Sequence, residues 1–86
     1  MTNMAPTEEP LVLNNGATVV AYTEEQAGGN GYRRHGIALC AYKHAIGDWV
    51  TWRVIQHEDG YWFAESGNYH VNLPDATTDY RERAGL

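Results

Sequence analysis

Hydrophobic and polar positions alternate most clearly from Trp49 to His57, where Val50, Trp52 and Val54 interleave with Thr51, Arg53 and Ile55. That is the period-two order of a half-buried strand. A second aromatic-rich run, Tyr61-Trp-Phe-Ala-Glu65, follows and extends with a bend at Gly67 to Tyr69. Between the two lies His57-Glu-Asp-Gly60, and Asp-Gly between β-rich runs is a strong hairpin signal. Upstream, alternation over Ala17–Tyr22 predicts a first strand, entered through the turn formers Asn14-Asn-Gly16, and Gly36-Ile-Ala-Leu-Cys-Ala-Tyr42 predicts a second. From Leu73 to Arg83 the period changes: Leu73, Ala76 and Tyr80 fall on one helical stripe. Pro74 suits a first turn, Asp75 suits the positive end of the helix dipole, and Arg81 and Arg83 suit its negative end.

The connections are too short to hold crossover helices, so the four strands form an antiparallel meander, and one helix can cover only one face of it. The fold class is therefore α+β, a four-stranded sheet with a C-terminal helix. Residues 1–10 mix small, acidic and proline residues with little to bury and read as a flexible tail, and residues 11–86 form a single domain. Val50, Trp52 and Val54 are assigned to the helix side. Trp49, Thr51, Arg53 and Ile55, joined by Tyr61 and Phe63, then lie on the helix-free face, which is solvated, dimerised or used. Covering of that face by loops, or the reverse phase, are the competing readings, since a one-residue slip exchanges the faces of every side chain.

Composition narrows the classes. Eighty-six residues make one domain at most, with three Trp, six Tyr and one Phe to fill its core. The single cysteine, Cys40, cannot form an internal disulfide, and it reads as a small buried hydrophobe. No apolar run is long enough to span a membrane, and the N-terminus lacks the basic start and apolar stretch of a secretory signal. These features predict a protein of a reducing cytoplasm. A net charge of −5 disfavours nucleic acid and favours solubility or a basic partner.

Four segments, Asn15-Gly-Ala-Thr-Val19, Trp49-Val-Thr-Trp52, Ser66-Gly-Asn-Tyr-His70 and Leu73 to Arg83 with its Ala76, Asp79 and Arg83, occur in one order along the chain. In these the chain resembles a group of small accessory proteins encoded by actinobacterial, notably mycobacterial, bacteriophages. The resemblance covers Asn15 to Arg83 and is mostly structural. Ser66 stands where that pattern has Trp and Asn68 where it has His, so no role resting on those side chains carries over. It implies expression in the cytoplasm of an infected bacterium, where such proteins commonly bind host proteins. It brings no catalytic motif and no cofactor.

Candidate chemistry is sparse. Gly28-Gly-Asn-Gly-Tyr-Arg-Arg-His-Gly36 offers an anion-binding loop through Gly29, Gly31, Arg33 and Arg34, but it lacks G-x-G-x-x-G order and precedes a strand, so a solvated hairpin loop explains it better. His35, His44, His57 and His70 are too dispersed for a compact zinc pair. His57-Glu58-Asp59 sets an imidazole beside carboxylates, yet hairpin chemistry already accounts for it. No cofactor, metal site or catalytic centre is expected. The reading reached is a non-enzymatic phage accessory protein that binds a host bacterial protein through Trp49, Thr51, Arg53, Ile55, Tyr61 and Phe63, with a homodimer through the same face as a variant. The alternative is single-stranded nucleic-acid binding by sheet aromatics with Arg33 and Arg34.

Overall fold

The computed structural model describes residues 10, 12–25, 34–43 and 47–86. Residues 1–9 of the expected tail, His44, and Gly29, Gly31 and Arg33 of the anion-loop candidate lie outside the described residues. Strands β1 (Thr18–Glu24), β2 (Arg34–Ala41), β3 (Trp49–Gln56) and β4 (Trp62–His70) are followed by helix α1 (Leu73–Ala84). The strands lie side by side in chain order, and each pairs antiparallel with the next, giving the expected α+β meander.

Local chemistry explains the boundaries. The β3–β4 hairpin closes with the His57 amide donating to Tyr61 O at 3.0 Å, Gly60 at φ 95°, and the Asp59 carboxylate accepting from the Tyr61 amide at 3.0 Å. At the helix start, Asn72 Oδ1 accepts from the Asp75 amide at 2.8 Å. At its end Gly85 turns left-handed at φ 76°, and the Leu86 amide returns to Arg81 O at 2.8 Å. These are the two cap devices that satisfy orphaned helix-end groups. The bend expected at Gly67 is a bulge: the β3–β4 register shifts between Thr51 and Arg53, and Ser66 sits at φ 58°. Gly67 is needed there because a Cβ would come within 2.4 Å of Trp52 Nε1. The Trp52 indole lies directly on the backbone of β4.

The face assignment is reversed. Helix residues Ala76 and Tyr80 close a cluster with Ile37 and Leu39, flanked by Ala21, Trp49 and Ala84. Val50, Trp52 and Val54 point away from the helix and pack with Ala38, Cys40, Trp62, Leu13 and Ala17. Two physical reasons account for the reversal. The helix stripe is mostly alanine with one tyrosine, and Leu73, expected in it, is 40% exposed, so it cannot cover the large apolar set. The polar residues on the same helix stripe, Asp79 and Arg83, require a hydroxyl beneath them, and only the Thr51 phase supplies one.

The helix-free side is therefore the larger core, closed from within. The turn preceding β1 folds across it: Leu13 and Ala17 are buried, and the Asn14 amide donates to Trp62 O on β4 at 2.9 Å. Opposite edges of a four-stranded sheet are about 14 Å apart, so the turn must cross the face to make this bond. Around it, Tyr22 meets Trp62, and Tyr42 and Tyr69 meet Trp52, all edge to face. Such pairs add about 0.5–1.5 kcal/mol each beyond their buried area. Gly36 makes room for Tyr22, whose ring a Cβ would meet at 2.7 Å.

Candidate functional site

Two polar hubs join the elements on the helix side. In the first, Asp79 Oδ2 accepts from the Thr51 hydroxyl at 2.6 Å and the Asn68 amide at 3.1 Å, and pairs with His70 Nε2 at 3.1 Å. Arg83 Nη1 donates to Thr51 Oγ1 at 2.9 Å and to Thr51 O at 3.0 Å. Burial pushes the Asp79 carboxyl up, but the hydrogen bonds from Thr51, Asn68 and His70, with the charge of His70, outweigh it and hold the carboxyl below its usual value. Tyr80 adds a hydroxyl contact to Thr23. In the second hub Glu25 Oε1 pairs with His35 Nδ1 at 3.0 Å and with Arg53 Nη1.

Both hubs set a carboxylate against an imidazole, but neither uses the His57-Glu58-Asp59 run. Their donors arrive from different strands, so the hubs tie elements together. The Thr51 hydroxyl is wholly buried and cannot meet a substrate. Burial likewise pushes the Cys40 thiol up to about 12, which removes its nucleophilic thiolate at neutral pH.

The six residues expected to form one open face divide in two. Trp49 is half-buried against the helix cluster, and Thr51 is the wholly buried floor of the Asp79 hub. Arg53, Ile55 and Phe63 share the helix side but lie towards the β3–β4 hairpin, outside the cluster that the helix closes, and Tyr61 immediately precedes β4 at that hairpin. Ile55 is buried at 8% exposure and forms the base of this strip, opposite Phe63. The Phe63 ring lies 4.5 Å from the ring of His57. Tyr61 is 63% exposed, and the Arg53 side chain is 41% exposed although it reaches Glu25.

Arg34, the described cation of the anion-loop candidate, donates to both Glu24 carboxylate oxygens. Its guanidinium lies 5.4 Å from the Trp62 ring centre and 6.0 Å from that of Tyr22, on the helix-free side. Tyr22, Trp62 and this arginine therefore serve the helix-free core and its rim. Sequence reasoning missed Glu25, Asn68, His70, Asp79 and Arg83. One signal was available for Asp79: an acid on the same helix stripe as Ala76 and Tyr80.

No helix among the described residues is long and apolar enough to cross a membrane. Among the same residues no cluster of three or more His, Cys, Asp or Glu groups could hold a metal ion. Comparison with protein-family models, with curated proteins and with solved structures returns no match.

Proposed function

We propose that this chain is a small non-enzymatic bacteriophage accessory protein that binds a bacterial host protein in the host cytoplasm. The contact is assigned to the strip of Arg53, Tyr61 and Phe63 with His57, in place of the helix-free face, because the latter is filled by the turn around Leu13 and Ala17. One observation carries this reading. Tyr61 stands 63% exposed where the hairpin enters β4, two residues before the half-buried Phe63, and a partly exposed arginine lies on the adjoining strand. Tyr, Phe and Arg are enriched at protein interfaces, and Tyr and Arg dominate their energetic centres. The phage setting rests on the resemblance over Asn15 to Arg83. An oligonucleotide-binding role loses the support of Arg34, whose charge is met by Glu24.

The test is affinity capture from an actinobacterial lysate, comparing the parent chain with Tyr61→Ala and Arg53→Ala after circular dichroism has established that both fold. Loss of a central tyrosine costs about 2 kcal/mol or more, roughly a thirtyfold weakening, so the retained partner should vanish from the Tyr61→Ala sample. Equal recovery by the folded variants would remove the proposal.

A further inference from the structure

The charges around the strip specify what kind of segment fits it. At this end of the sheet Glu24 is neutralised by Arg34 and Glu25 by Arg53. Glu58, Asp59 and Glu65 are exposed, and none forms an ion pair among the described residues. Glu58 and Asp59 occupy the hairpin turn immediately before Tyr61, and Asp59 is held in place by the Tyr61 amide. Glu65 sits in register opposite Arg53, two residues beyond Phe63 and on the same face. The guanidinium of Arg53 turns instead to Glu25, and Glu65 has no ion-pair partner among the described residues. The two aromatic rings thus lie between carboxylates that have no ion-pair partner among the described residues, Glu58 and Asp59 in the turn before them and Glu65 further along β4.

From this we infer that the strip takes a basic, extended segment of a partner protein, with an apolar side chain against Tyr61 and Phe63 and Lys or Arg at either end. This rests on the proposed protein-binding role and adds the chemistry of the partner. The extended run from Tyr61 to Glu65 spans about 14 Å at strand rise, with the turn carboxylates beyond its start, so the two cations belong roughly four to six residues apart in an extended chain. The same acids disfavour the other occupants. A nucleic acid or an anionic membrane would bring phosphates against three carboxylates, and a symmetric contact between two copies would oppose them to themselves.

The experiment uses the full chain, immobilised, to select from a yeast-displayed library of random peptides about twelve residues long, a length that covers the strip. Binding of the recovered peptides is then measured against the Tyr61→Ala variant and against a Glu58→Gln, Asp59→Asn, Glu65→Gln triple variant. The expected peptides carry Lys or Arg on both sides of an apolar residue and lose binding to Tyr61→Ala. They bind the triple variant roughly tenfold more weakly, and weaken as salt rises from about 0.05 to about 0.5 M, because rim charge pairs are modest and screened. Peptides that require Tyr61 but show no basic enrichment and bind the triple variant equally would overturn this inference while leaving the docking role intact. If no recovered peptide requires Tyr61, the inference and the docking role fall together.

Discussion

Replacing Asp79 by alanine removes one acceptor oxygen that serves three donors on two strands. The Thr51 bond dominates, because its donor is wholly buried and the acceptor is charged; such bonds contribute about 1.5–3 kcal/mol. The exposed Asn68 bond and the His70 pair add about 0.2–1 kcal/mol each at most. The substitution should therefore cost about 2–5 kcal/mol, a large share of the roughly 4–13 kcal/mol that per-residue scaling assigns to a chain of this size. Urea titration followed by tryptophan fluorescence measures this, with an unchanged slope as evidence that the native and unfolded states are otherwise the same. The pH dependence supplies the sign. The Asp79 carboxyl is held below its usual value in the fold, so its charge-dependent stabilisation is present in full above about 3.9 and is lost as pH falls through the lower folded value. The gap between parent and variant should thus narrow below about pH 4. A cost under about 0.5 kcal/mol at neutral pH, in the range of an ordinary surface change, would refute the hub as a helix fastening.

Three further outcomes follow from the same geometry. Trp52→Ala should destabilise the chain by about 3–5 kcal/mol, while Leu73→Ala, at a site 40% exposed, should cost under about 1 kcal/mol; chemical denaturation compares them directly. Gly67→Ala should cost about 1–3 kcal/mol and shift the tryptophan emission, since the new methyl meets the Trp52 indole. Cys40 should resist a thiol reagent at about pH 8 in the folded chain and react on unfolding, because burial holds its thiol up at about 12. The sign for stability is the reverse of that for Asp79: the neutral thiol is favoured in the fold, so its contribution declines only above about 8.5, where the unfolded thiol begins to ionise.

The elements themselves could be read from local signals because each boundary is local chemistry. Asp59-Gly60 closes the hairpin, Asn72 and Pro74 open the helix, and Gly85 ends it. Which face the helix takes is a different kind of question. Val50, Trp52 and Val54 form the more apolar phase of β3, and apolarity alone assigned them to the helix. The deciding facts are long-range: a Leu13–Ala17 turn that returns to β4, and an Asp79–Thr51 bond across 28 positions of sequence. Neither leaves a periodic trace. The candidate surface inherited that error in phase, so Thr51 lies inside and Trp49 is half-covered by the helix cluster. Arg53, Tyr61 and Phe63 remained accessible because the helix stripe runs out before the hairpin. The bulge at Ser66 also hid Asn68 and His70, by shifting their register so that both align with Asp79 on the helix side.

The central claim is the allocation of the two faces: the turn around Leu13 closes the Trp52 side, and Tyr80 closes the Leu39 side. A nuclear Overhauser spectrum of the labelled chain measures it without any substitution. The account predicts cross-peaks from the Leu13 methyl groups to the Trp52 and Trp62 rings, and from the Tyr80 ring to the Ile37 and Leu39 methyl groups. Cross-peaks from Tyr80 to Val50 and Val54 would contradict it, and would put the strip of Arg53 and Phe63 on the helix-free side of the sheet.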